Sequence, residues 1–219
     1  MATDIPLKKL ILVPALITLA VTLLRLVGEL MHWSPLLFNP KAGGGGAIVG
    51  IAWLALVFGA YFAYKLAGAG ELPSSVGAAV GYAFLGFLVV PAMGFAAFKL
   101  GAPRQSFTLF GVIIVGSVIG GVIAYRAWPA LGRVLLAYAL AARIPVALVM
   151  LAAIFGDWGT HYDVPPSPDF PAMSPFAKWV LIGLLPQMTI WIWYTVVVGA
   201  LVGGLFLAVT GRTQRPATA

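Results

Sequence analysis

The sequence predicts an all-α polytopic membrane bundle of six transmembrane helices, and three observations predict it. Of the 219 residues, 62% are hydrophobic and 9% are charged, where a soluble domain carries roughly 25% charged residues; mean hydropathy is +1.03. Several apolar runs exceed the ~20 residues a helix needs to cross the hydrocarbon layer. Those runs show no period-two alternation, which argues against a transmembrane barrel. Helices remain as the way to satisfy every backbone group in lipid.

The first span is expected at residues 10–30. Lys8 and Lys9 precede it, as in a signal peptide, but the apolar run is too long for an h-region and reads as a retained helix. The loop "HWSPLLFNPKAGGGG" follows. Its four glycines read as a hinge or tight turn, because no GK[ST] follows to make a phosphate loop. The second span is expected at 47–66 and is closed by "AGAGELPSS"; the third, at 76–98, is closed by "KLGAPRQS". The fourth covers 107–124. "YRAWP" is a tight turn, with Pro129 placed to open the fifth helix, which runs over 130–155. A polar insert, "GDWGTHYDVPPSPDFPAM", comes next.

The sixth apolar run, 179–210, is longer than the ~17–25 residues usual for one span, and Pro186 lies inside it. Either one long helix kinks there, or a short interfacial helix precedes a span starting near Gln187; the second is the expectation. Residues 1–219 thus read as a single transmembrane domain with an external proline-rich loop at 156–178.

Lysine and arginine placement sets the orientation. With the N-terminus inside, Lys8, Lys9, Lys65, Arg126, Arg133, Arg212 and Arg215 fall on the cytoplasmic side. Lys41, Lys99, Arg104 and Lys178 fall outside, as do Asp157, Asp163 and Asp169. Both termini are then cytoplasmic, and a bacterial inner membrane is the expected home. The net charge of +7 is dispersed, with no basic run interleaved with aromatics, so nucleic acid is not an expected partner. The expected partner is the lipid bilayer. Absence of cysteine removes disulfides, thiolate metal sites and cysteine nucleophiles.

Arg143 lies midway along the fifth span, at a depth where a basic residue costs ~2.5–3.5 kcal/mol on insertion scales. It should face the bundle interior. Its expected neighbours are Gln187 and backbone carbonyls freed by Pro91, Pro145 or Pro186. A guanidinium suits phosphate and carboxylate geometry, so Arg143, Arg25 and Gln187 are candidates for an anion or lipid-headgroup site. The competing reading is an arginine that locks helices through carbonyls. Arg25 and Glu29 are four apart on one helix face and read first as a local ion pair.

A second candidate constellation would hold a divalent metal. Glu29 and His32 form E-x-x-H, a spacing used on helices of di-metal bundles; His161 and Asp163 form H-x-D, with Asp157 four residues earlier. All five fall on the outer side and suit Zn or Mn/Fe chemistry, although a second E-x-x-H is missing. The insert has a plainer job as well: Trp158 and Tyr162 fit an interfacial aromatic belt, with Trp33, Trp128 and Trp179. Trp191 and Tyr194 share a helix face and read as filling of a helix interface or as a stacking site for a ring. Gly77/Gly81, Gly116/Gly120/Gly121 and Gly199/Gly203/Gly204 have the spacing of close helix contacts. They read as packing within the chain before a homo-oligomer seam.

Three function classes follow, in this order: a transporter, channel or lipid- or anion-handling protein with a buried arginine site; a non-catalytic membrane-complex subunit or scaffold; and a metal-dependent membrane enzyme working at the outer surface. No G-x-S-x-G elbow or H-E-x-x-H pair is present.

Overall fold

The computed structural model describes residues 6–42, 46–103, 106–167 and 170–211. Arg104, Asp169, Arg212 and Arg215 lie outside the described residues. Among the described residues six helices are formed: α1 (Leu7–Leu30), α2 (Leu54–Gly68), α3 (Val76–Lys99), α4 (Phe107–Ala127), α5 (Pro129–Gly156) and a composite α6 (Pro175–Thr210). The starts are written in the sequence. Ser75, Ser106 and Ser174 cap α3, α4 and α6 by accepting the backbone N–H of Ala78, Leu109 and Ala177, the usual service of serine at a helix N-terminus. Pro129 and Pro175 occupy first-turn positions, where a missing N–H costs nothing.

All but α2 are long and apolar enough to cross a membrane. Large apolar side chains such as Leu16, Phe84, Val115 and Leu148 point outward around the bundle. Apolar surface on that scale is incompatible with water, and the chain is an integral membrane protein.

The second span departs from expectation. The helix begins at Leu54, not near residue 47, and has 15 residues. At 1.5 Å per residue it is about 22 Å long, short of the ~30 Å hydrocarbon core. The reason lies in the backbone donors upstream. Ile48 and Val49 give their N–H groups to the carbonyls of Leu36 and Leu37, so this stretch pairs with the loop after α1 and cannot propagate a helix.

The long last segment is interrupted close to where the sequence expects it: a helical stretch Pro175–Met188 precedes the long helix Ile190–Thr210, and the two part at Thr189. Trp179–Leu184 is a π-helical turn. It lies directly upstream of Pro186, whose ring would clash with the carbonyl four residues back in a regular helix. Thr189 then leaves helical geometry (φ −122°, ψ −73°), and its hydroxyl donates to the Leu185 carbonyl at 2.6 Å. The indole of Trp179 ties the π turn to α5 by donating to the Ala147 carbonyl at 2.8 Å.

Helix α5 packs against α1, α2, α4 and α6, and α6 packs against α2, α3, α4 and α5. The core between them is aromatic: Phe58 and Phe62 meet Tyr138 with ring centroids 5.2 and 5.5 Å apart, and the Tyr138 hydroxyl shares a 2.8 Å hydrogen bond with Thr18. Glycines set the closest approaches. A methyl group on Gly59 of α2 would sit 2.5 Å from the Gly199 carbonyl oxygen of α6, and Gly86 of α3 meets Gly120 of α4 backbone to backbone. These contacts, with Gly203 against Ala63 and Leu131, use glycine-rich faces inside the chain.

Candidate functional site

A partly open cleft of about 820 Å³ occupies the end of the bundle where α1 and α5 stop and α6 starts. Its floor comes from α5 and α6. Its walls are α1 and the first turns of α4, two helices that do not form one of the packed pairs of the bundle. Ala42 with parts of 46–53, and parts of 161–167 with Phe170 and Pro171, complete it. The shortness of α2 explains the opening: the missing turns are replaced by irregular chain. Irregular backbone is tolerated at membrane depth where it is buried in protein or lines a cavity, and Gly46, Gly50, Ile51 and Trp53 line this one. Gly50 lies close to Arg25: a methyl there would be 3.1 Å from a terminal guanidinium nitrogen.

The upper part of the cleft is organised by one carboxylate. Glu29 is 3% exposed and accepts from Arg25 Nε at 2.7 Å and from the His161 backbone N–H at 2.9 Å. His161 Nδ1 lies 2.6 Å from the same carboxylate. Arg25 also donates to the Asn39 carbonyl at 3.1 Å. The insert is shaped by a second carboxylate: Asp163 accepts from the Gly159 and Thr160 backbones and from the Thr160 hydroxyl, at 2.7 to 2.9 Å. Tyr162 turns inward and donates to the Thr22 carbonyl at 3.2 Å. Burial pushes the His161 imidazole below the ordinary histidine range, Glu29 pulls the other way, and Arg25 adds to the fall. Burial pushes the Tyr162 phenol up.

Deeper in the cleft the pattern changes. From the helix ends, Arg25 lies about 8 Å and Arg143 about 20 Å along their axes, at 1.5 Å per residue. Arg143 is 4% exposed, and among the described residues it makes no ion pair and its Nε has no hydrogen-bond partner. The carbonyls freed by proline are not its partners. What it has is the face of Trp191, 4.7 Å from the guanidinium carbon to the ring centroid. Gln187 beside it donates to the Met150 sulfur at 3.6 Å, and its buried carbonyl oxygen has no partner.

Arg25, Arg143 and Gln187 therefore line one cleft, together with His161. The five residues considered for a metal do not gather. Glu29 and His161 meet across 132 positions of chain, but Asp163 is spent on its own loop. His32 is exposed and left-handed (φ 52°), because α1 stops at Leu30 and E-x-x-H does not lie on a helix. Asp157 is exposed and left-handed (φ 48°) as the C-cap of α5. Among the described residues no three histidine or acidic side chains are grouped as a metal ion would need. Of the aromatics considered for an interfacial belt, Trp33 and Trp158 are exposed, whereas Trp128 and Tyr162 are buried. Trp193 is an interface filler, donating to the Gly86 carbonyl at 3.0 Å. The partnership of Glu29 with His161 and the cover of Trp191 over Arg143 had no local signal in the sequence. No protein-family model, curated protein or solved structure matches the chain.

Proposed function

We propose that the chain is an anion-binding membrane protein of the transporter or lipid-handling kind, with Arg143 as the residue that holds the ligand and Arg25 and Gln187 beside it. One observation carries this reading: a guanidinium in the middle of a membrane bundle, nearly fully buried, with no carboxylate or carbonyl partner among the described residues, in the wall of an 820 Å³ cleft. A buried charge without a partner is costly, and intramembrane charges mark ligand and ion pathways. Two further features support it. The irregular stretch before α2 and the proline-deflected start of α6 both border the cleft, and interrupted helices are where transporter sites form. The orientation that follows from the basic residues puts the cleft on the non-cytoplasmic side, with the chain ends in the cytoplasm of a bacterial cell.

Native mass spectrometry of the protein released from detergent tests the reading. The parent protein is expected to retain an acidic molecule that an equally folded Arg143→Gln variant lacks. Identical bound species on both proteins would overturn it.

A further inference from the structure

We infer that the ligand of this cleft is an amphiphile carrying a single negative charge, a carboxylate or phosphodiester head joined to an apolar chain; the inference rests on the anion-site reading above. Size is the first reason. A cleft of about 820 Å³ is in the ~300–1,000 Å³ range that encloses a drug-sized molecule. An inorganic anion on Arg143 would leave most of it to water held against apolar walls.

The lining is the second reason. Around Arg143, Gln187 and Trp191 the cleft is bounded by Phe110, Ile113, Val146, Met150, Leu181 and Ile182. These side chains offer nothing to a charged group and a good deal to a hydrocarbon, at ~25 cal/mol for each Å² removed from water. The walls α1 and α4 belong to the membrane-spanning set and do not form a packed pair. An apolar chain can therefore lie between them and remain in an oily environment along its length.

Charge fixes the head. Among the described residues two guanidinium groups line the cleft, but Arg25 is committed to Glu29 at 2.7 Å, and His161 is pushed toward its neutral form. Of the described cations in the cleft, one is left over, that of Arg143. A single negative charge neutralises it; a dianionic phosphomonoester would bury a surplus charge with no partner, which low-dielectric surroundings penalise heavily. The Trp191 ring beneath the guanidinium holds the fork in place without competing for its donors, since a ring face offers attraction to a cation but no hydrogen-bond acceptor of carboxylate strength.

The test separates head from chain. The intact protein and Arg143→Gln are placed in phosphatidylcholine nanodiscs, and thermal unfolding is followed with added dodecanoate, dodecanol or acetate at equal concentration. Dodecanoate near 100 times its dissociation constant is expected to raise the midpoint of the parent by about 5 °C or more. Dodecanol and acetate should each leave it within about 1 °C, and Arg143→Gln should lose the dodecanoate response. An equal rise with acetate would overturn the amphiphile while leaving the anion site standing. An equal rise with dodecanol, in parent and variant alike, would overturn both. Absence of any dodecanoate effect would overturn the amphiphile even if the parent protein retains another acidic molecule on Arg143.

Discussion

Arg25 and Arg143 are buried almost equally, at 8% and 4% exposure, and line the same cleft, yet the protein treats them in opposite ways. Arg25 is answered on its own helix by Glu29, four residues on, and again by the Asn39 carbonyl. Glu29 in turn is braced by the insert through the His161 backbone. Among the described residues Arg143 is answered by an aromatic face and by no carboxylate. The first arrangement is a closed account of charge that fixes α1, the loop after it and the insert relative to each other. The second leaves charge available. The lesson is that burial alone does not separate a structural arginine from a ligand-holding one; the presence or absence of partners does.

Breaking the paired arginine should have the larger effect. Arg25→Met leaves Glu29 buried with its main counter-charge gone, and removing one member of a buried pair costs about 3–5 kcal/mol. For a chain of this length that lowers the unfolding midpoint by on the order of 10 °C. Circular dichroism in detergent measures it. A midpoint unchanged within a degree or two would mean that the pair does not hold the insert down.

Arg143→Met should move the other way. With no ligand present, a methionine of similar reach replaces an unpartnered buried charge by apolar contact, and such exchanges are neutral or stabilising by about 1–4 kcal/mol. Sites kept for function at the expense of stability behave so. A rise in midpoint for Arg143→Met beside a fall for Arg25→Met would sharpen the contrast. Equal losses in both variants would erase it and make Arg143 a structural residue.

Most of this contrast was half legible in the sequence. The i, i+4 spacing announced the Arg25–Glu29 pair, and the depth of Arg143 in an apolar run announced a residue facing inward. Both readings depend only on helix periodicity and on the cost of charge in lipid, which act locally. What the sequence did not disclose depends on contacts between distant segments. Residues 47–53 are apolar enough for a span, and only their pairing with residues 36 and 37 stops the helix; that shortfall opens the cleft. The E-x-x-H spacing is meaningful on a helix, but α1 stops one residue after Glu29, which turns His32 outward. The mate of Glu29 came from the insert, over a hundred residues away.

The smallest effect concerns His161, which lines the cleft beside Glu29. Burial is the largest influence on its imidazole and lowers its pKa, with Arg25 acting in the same direction and Glu29 and Asp163 opposing. The sign then follows. Above about pH 6.5, the ordinary histidine value, both folded and unfolded chains carry a neutral ring and His161 adds no pH dependence. As pH falls below that value the unfolded chain takes up a proton that the folded chain refuses, so stability declines, by at most about 1.4 kcal/mol per pH unit. The decline stops once pH drops below the folded value. Thermal midpoints measured from pH 8 to pH 5 should therefore be flat and then fall for the parent, and should fall less for His161→Gln. His32 is exposed, so His32→Gln serves as the control for histidine loss elsewhere. A midpoint that rises on acidification in the parent and not in His161→Gln would mean that Glu29 outweighs burial and that the ring is charged in the folded protein. Arg25 and His161 would then share the one negative charge of Glu29, the described residues of the cleft would carry a net surplus of two positive charges, and the single-charge argument for its ligand would have to give way to a dianion.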